Sequence, residues 1–226
     1  MPARPRFYAV LAVMILLGGL LPPVALAEAC RPPQVQTEAT VVEIQEFLRN
    51  QGRKVLTFVG YSGAEYEDPS AMLERGREVL DGYDPGTTLV NIGATRAGIG
   101  ALYPLAKERG FATMGVVSVL ARDQGAALSP CVDYVFYVRD ETWGGLLPGS
   151  QELSSTSNAV VSVSDAVVGI GGGDVARDEL MAARAAGKDV NFVPADMNHR
   201  LAIEKARKKG LAEPTDFRGA ADAALQ

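Results

Sequence analysis

Asp165-Ala-Val-Val-Gly-Ile-Gly-Gly-Gly-Asp-Val-Ala-Arg-Asp-Glu179 decides the fold. It opens as an apolar run, residues 166–170, short enough for a buried strand. It passes through Gly171, Gly172 and Gly173, then turns helical, with Leu180, Met181, Ala183 and Arg184 at helical spacing as far as Gly187. A strand that turns through glycines into a helix start leaves backbone N–H groups pointing outward, where the helix dipole favours negative charge. The same turn also serves a chain that only needs close strand–helix packing.

Outward from this stretch, the same alternation recurs. Apolar runs at 55–59, 88–92, 112–119, 133–138 and 189–193 read as further strands. Helical spacing covers 41–50, 71–80, 100–109, 151–164 and 201–209. Near-continuous apolar strands alternating with helices predict one α/β domain, a Rossmann-like doubly wound parallel sheet covered on both faces. The domain is expected over residues 53–210, after an N-terminal segment and helix at 28–52 and before a small, loosely ordered tail at 211–226. Residues 28–40, with Pro32 and Pro33, read as an extended entry segment, and 121–131 as a loop.

Residues 1–27 have the pattern of a secretory signal peptide. Arg4 and Arg6 precede an apolar stretch at 10–21, and small residues follow at Ala25, Ala27 and Ala29. A mature chain starting at Glu28 or Cys30 is expected in the bacterial periplasm; the alternatives are an uncleaved N-terminal anchor and a lipoprotein acylated on Cys30. Loss of Arg4 and Arg6 takes the formal net charge from −5 to −7. An acidic surface does not suit a nucleic-acid backbone. Cys30 and Cys131 are the two cysteines; in an oxidising compartment they either pair or stay free. With His199 the single histidine and no Cys-x-x-Cys, a zinc site is not expected. No metal or cofactor is read from the sequence.

Three glycine-bearing loops follow strands: Gly60-Tyr-Ser-Gly63, Gly93-Ala-Thr-Arg-Ala-Gly-Ile-Gly100 and Gly171-Gly-Gly173. In a doubly wound sheet ligands bind outside the C-terminal ends of strands, near the switch in strand order. The candidate ligand-binding residues are Gly60, Ser62, Gly63, Gly93, Arg96, Gly98, Gly100, Asn158, Gly171, Gly172 and Gly173. Arg96 reads either as a phosphate partner or as a solvated loop arginine. Glu179 reads as a catalytic acid or base, or as an acid favoured by the helix dipole. Trp143 is the only tryptophan and reads as a stacking residue or a plug at the pocket edge. His199 reads as a cap on a ligand after the last strand or as a surface residue beside the capping residues Asp196 and Asn198.

These loops, with the run from Ser157 to Gly173, resemble the LOG-type, lysine decarboxylase-like family and its wider Rossmann-like superfamily, over about residues 55–194. The resemblance implies binding of a nucleotide-like or other phosphorylated small molecule, and, in one branch, hydrolysis of the bond between base and ribose 5′-monophosphate. Two features depart from the family. Val175 and Ala176 stand where its turn has glycine and threonine, and Ser157 precedes Asn158 where it has arginine. A binding protein is therefore the leading expectation. A phosphoribohydrolase with altered catalytic residues and a ligand-free interaction module are the alternatives, and a homodimer is among the open assembly states.

Overall fold

The computed structural model describes residues 30, 31 and 35–225; the expected signal peptide lies outside them. Seven strands form one parallel sheet in the order β1-β5-β4-β3-β2-β6-β7. They are β1 (Val35–Glu38), β2 (Lys54–Gly60), β3 (Thr88–Asn91), β4 (Ala112–Ser118), β5 (Tyr134–Val138), β6 (Ala166–Ile170) and β7 (Asp189–Val193). Eight α-helices are described: α1 (Val41–Gln51), α2 (Pro69–Leu80), α3 (Leu102–Glu108), α4 (Leu120–Asp123), α5 (Ser155–Val163), α6 (Asp174–Ala185), α7 (His199–Lys208) and α8 (Ala220–Leu225). None of the described helices is long and apolar enough to cross a membrane.

Burial explains which strands are central. All of β3 and β6 is buried, as is β2 from Val55 to Val59, so both faces of these strands need apolar residues. β1 is exposed throughout, as suits an edge. The extended entry segment thus contributes a seventh strand, parallel to β5 with Val35 opposite Tyr134. Its short polar sequence, Val-Gln-Thr-Glu, carries no apolar run to announce it.

Local chemistry sets the helix ends. Thr40 and Glu43 form a reciprocal capping box on α1, and Gly52 ends that helix in the left-handed region. Asp68 caps α2, with Pro69 at its first position. Asn198 caps α7, accepting from the Leu201 N–H at 3.0 Å. The helix expected at 151–164 starts four residues later, where Ser154 accepts from the Ser157 N–H. Part of the loop expected at 121–131 is helical, as α4.

The C-terminal segment is ordered, not loose. Ala221 is fully buried, and α8 packs on α6. The Met197 N–H donates to Phe217 O at 2.9 Å, and Phe217 stacks on His199 with ring centroids 3.9 Å apart. Small residues, Gly219 to Ala221, allow the chain to approach the glycine turn closely; their smallness is also what made the segment look featureless.

Cys30 is joined to Cys131 by a disulfide, which ties the start of the described chain to the loop before β5.

Candidate functional site

The strand order reverses between β2 and β6. β3, β4 and β5 extend the sheet on one side of β2, and β6 with β7 on the other. Gly60 and Ile170 are the last residues of the neighbouring strands and are paired in register. Above this switch point lies a crevice of about 370 Å³, within the usual size of small-molecule sites.

The three loops do not all reach it. Gly60 and Ser62 line it from the first loop, and Gly93 and Thr95 from the second. From the third arm come Val175, Ala176 and Glu179 of α6, not the glycines. Gly171, Gly172 and Gly173 lie off the lining, as do Gly63, Arg96, Gly98 and Gly100.

Packing accounts for several of these glycines. Gly98 has φ +57° and sits against the carbonyls of Tyr61 and Ser62, which lets the Ile99 N–H donate to Tyr61 O at 2.7 Å. Gly100 lies against the Thr95 backbone. Gly172 has φ +138°, and a Cβ there would run into Ala176 and touch Ala221. Its carbonyl accepts from the Ala221 N–H at 3.1 Å. The C-terminal segment thus covers one side of the turn read from sequence as an anion cradle. Gly173 is open and begins α6, which no side chain caps; the acid in that first turn is Asp174.

Asn158 is exposed and lines a separate surface cleft beside Glu38, Thr40 and Arg139. One residue earlier on α5, Ser157 points the other way and is fully buried. Its hydroxyl donates to Glu179 Oε1 at 2.7 Å and accepts from the Gly145 N–H at 2.7 Å. Glu179 is 7% exposed. Burial pushes its carboxyl up, the Ser157 hydrogen bond opposes this, and the neighbouring Asp178 charge adds to it, leaving the pKa at about 7. The residue sits within the ordinary reach of a general acid or base.

The loop after β5 closes the near wall. The Leu146 N–H donates to Asp178 Oδ2 at 3.0 Å, and Gly144 and Gly145 take positive φ to pass over Ser157 and Val175. This holds Trp143 at the lip, lining the crevice while 53% exposed.

Thr156 also lines the crevice and is 4% exposed. Its N–H donates to Asp140 Oδ2 at 2.7 Å. Among the described buried side chains, its Oγ1 is the one polar atom with no hydrogen bond of good geometry. The nearby Asp140 carboxyl is pushed up by burial, but the N–H and hydroxyl groups of Thr156 and Thr142 outweigh this and hold it below the usual range. Ser118 and Thr57 add hydroxyls to the walls; Thr57 is fixed by Asn91 Nδ2 at 3.1 Å and Ser164 Oγ at 2.6 Å. Among the described residues no lysine, arginine or histidine lines the crevice, and Glu179 is its one ionisable group. Ser157 is marked in the sequence only as a departure from the family's arginine, and Thr156 carries no signal beyond a serine-rich helix start.

No protein-family model matches the chain, and no curated protein does. Solved structures are similar to it. The structural-genomics target TM1055 is 24% identical over 61% of this chain and 72% of its own, with a TM-score of 0.44. The Moco carrier protein from Chlamydomonas reinhardtii is 18% identical over 76% and 94%, with a TM-score of 0.45. DNA processing protein A from Streptococcus pneumoniae is 14% identical over 79% and 63%, with a TM-score of 0.43. These are remote likenesses.

Proposed function

We propose that the chain is an exported protein that binds a small nucleotide-like molecule in the crevice at the switch in strand order. The observation that carries this is the convergence of Ser62, Ser118, Thr156 and Glu179 on one apolar-walled cavity at the β2–β6 boundary. The charged, apolar and small-residue pattern of residues 1–27 supports export, with a mature start at Glu28 or Cys30. The test is calorimetry on the mature protein with nucleosides, nucleobases and nucleoside monophosphates, beside N-terminal sequencing of envelope protein. An intact Met1 on cytosolic protein would refute export. No heat or thermal shift with any of the panel would refute the binding role.

One observation favours a second reading, a hydrolase of the bond between base and sugar. Glu179 is buried in the crevice with a pKa at about 7, where a carboxyl can give and take a proton. A base-release assay separates the two. Turnover that drops about 10²–10⁴-fold in Glu179→Gln, with binding retained, would establish the hydrolase. We expect binding without turnover. Val175 and Ala176 supply no hydroxyl, and among the described residues no cation lines the crevice to hold a ribose phosphate.

A further inference from the structure

We infer that the crevice selects an uncharged planar heterocycle, of the nucleobase or nucleoside class, stacked on Trp143 with its polar edge on Thr156 and Glu179, and discriminates against the phosphorylated form. The inference rests on the binding role proposed above and names its ligand class.

Three observations carry it. Thr156 Oγ1 is buried without a well-formed hydrogen bond, and the residue faces the crevice. Its contact with the Asp140 carboxylate is not a bond of good geometry, so the hydroxyl gains when a ligand group completes it. The matching ligand group is a ring nitrogen, a carbonyl or an amine, as found along the edge of a base. The second is Trp143, a large apolar ring kept half-exposed at the lip by a loop anchored to Ser157 and Asp178. A flat ring on its face would cover that surface. The third is charge. Among the described residues the crevice lining has Glu179 and no cation; Asp174, in the first turn of α6, is off the lining and paired with Arg177 at 2.8 Å. Arg96, the candidate phosphate partner, lies outside the lining and is exposed. The uncapped start of α6 is the feature that would favour an anion. The bulk of Val175 opposes that use. Glu179, with its raised pKa, carries its proton for much of the time near neutrality and can then donate to a base as well as accept.

Trp143 is the chain's single tryptophan, so its fluorescence reports on the crevice in the unmodified protein. The experiment titrates the mature protein with adenine, adenosine, guanosine, adenosine 5′-monophosphate and inorganic phosphate while Trp143 emission is followed. The expected result is saturable quenching by a base or nucleoside, with its 5′-monophosphate weaker by about tenfold or more, since no cation on the described lining offsets the added charge. Thr156→Val keeps the shape and removes the hydroxyl. It is expected to weaken the nucleoside by roughly two- to tenfold, the range of one neutral hydrogen bond. A monophosphate that binds as tightly as its nucleoside, or tighter, would overturn the inference and leave the binding role standing. Tight nucleoside binding that leaves Trp143 emission and Thr156→Val affinity unchanged would also overturn it, by placing the ligand elsewhere. No binding by any probe would overturn the binding role and the inference together.

Discussion

Ser157 Oγ donates to Glu179 Oε1 at 2.7 Å, and both residues are buried between α5 and α6. This bond opposes the burial that lifts the Glu179 pKa from 4.5 to about 7. A carboxyl whose pKa is raised by folding binds its proton more tightly in the native state. Its contribution is complete below the unfolded value and is lost as pH rises through the folded one. Wild-type stability is therefore expected to fall between about pH 4.5 and about pH 8 by on the order of 2–3 kcal/mol from this group. Glu179→Gln keeps an acceptor for Ser157 and cannot ionise. Urea unfolding of both proteins across that window should show the variant losing less stability. Parallel pH curves would mean that Glu179 is ionised in the native protein near neutral pH.

The Cys30–Cys131 bond closes a long stretch of chain, with a sequence separation of 101. Cross-links of this span stabilise chiefly by restricting the unfolded chain, and their loss typically costs about 2–5 kcal/mol. Reduced protein, or Cys131→Ser, should unfold at lower urea and lower temperature than oxidised protein by that amount. Thiol labelling of denatured, unreduced protein should find neither cysteine free. Two labelled cysteines would refute the pairing.

Tyr103 holds the second loop from beneath. Its hydroxyl is fully buried, donates to Met114 O at 2.7 Å and accepts from the N–H groups of Ile92 and Ala94 at 3.1 Å each. Ala94 has φ +50°, an uncommon conformation for a residue with a side chain, and it directly follows Gly93 at the crevice. Tyr103→Phe should cost about 1–3 kcal/mol and speed amide exchange at Ala94. Wild-type exchange at Ala94 in the variant would show that the turn is held without the hydroxyl.

The central sheet is legible in the sequence because its strands are buried on both faces. Val55–Val59, apolar but for Thr57, and Ala166–Ile170 form near-continuous apolar runs, and such runs stand out. β1 does not stand out, since an exposed edge places no demand on Val35–Glu38. The site is half legible. Glycines at strand ends mark where the chain turns, and Gly60, Ser62 and Gly93 do line the crevice. The pattern cannot say whether a glycine faces a ligand or its own chain: Gly98 and Gly100 face neighbouring backbone, and Gly172 faces Ala176 of α6 with its carbonyl held by Ala221 of α8. The sequence does not show which of Thr156, Ser157 and Asn158 faces the crevice, because α5 turns adjacent residues to different sides. Asn158 is exposed on the same turn that buries Ser157, and only the packing of α5 against α6 decides which side faces the crevice.

Gly172 is where the two readings of a glycine turn separate most sharply. From the strand–turn–helix pattern, a bulky residue there would block a phosphate. In the structure the space beside its Cα is filled by Ala176 and Ala221, and its carbonyl is held by the Ala221 N–H. The Gly219 N–H donates to the Tyr61 hydroxyl at 2.6 Å, and that hydroxyl donates to Ala195 O at 3.2 Å, so the C-terminal segment is fastened to the first loop as well. Gly172→Val is therefore expected to act on stability. Overpacking costs about 1–3 kcal/mol, and a β-branched residue at φ +138° adds backbone strain. Deleting residues 219–226 should destabilise the protein too, by uncovering α6 and leaving Tyr61 without its partner at Gly219. For Gly172→Val, the ligand affinity of the fraction that remains folded should stay within a few-fold of wild type. Urea unfolding and Trp143 titration, run on the same preparations, read the two quantities separately. A Gly172→Val protein with wild-type stability and lost affinity would return the turn to the ligand and remove the C-terminal segment from its account.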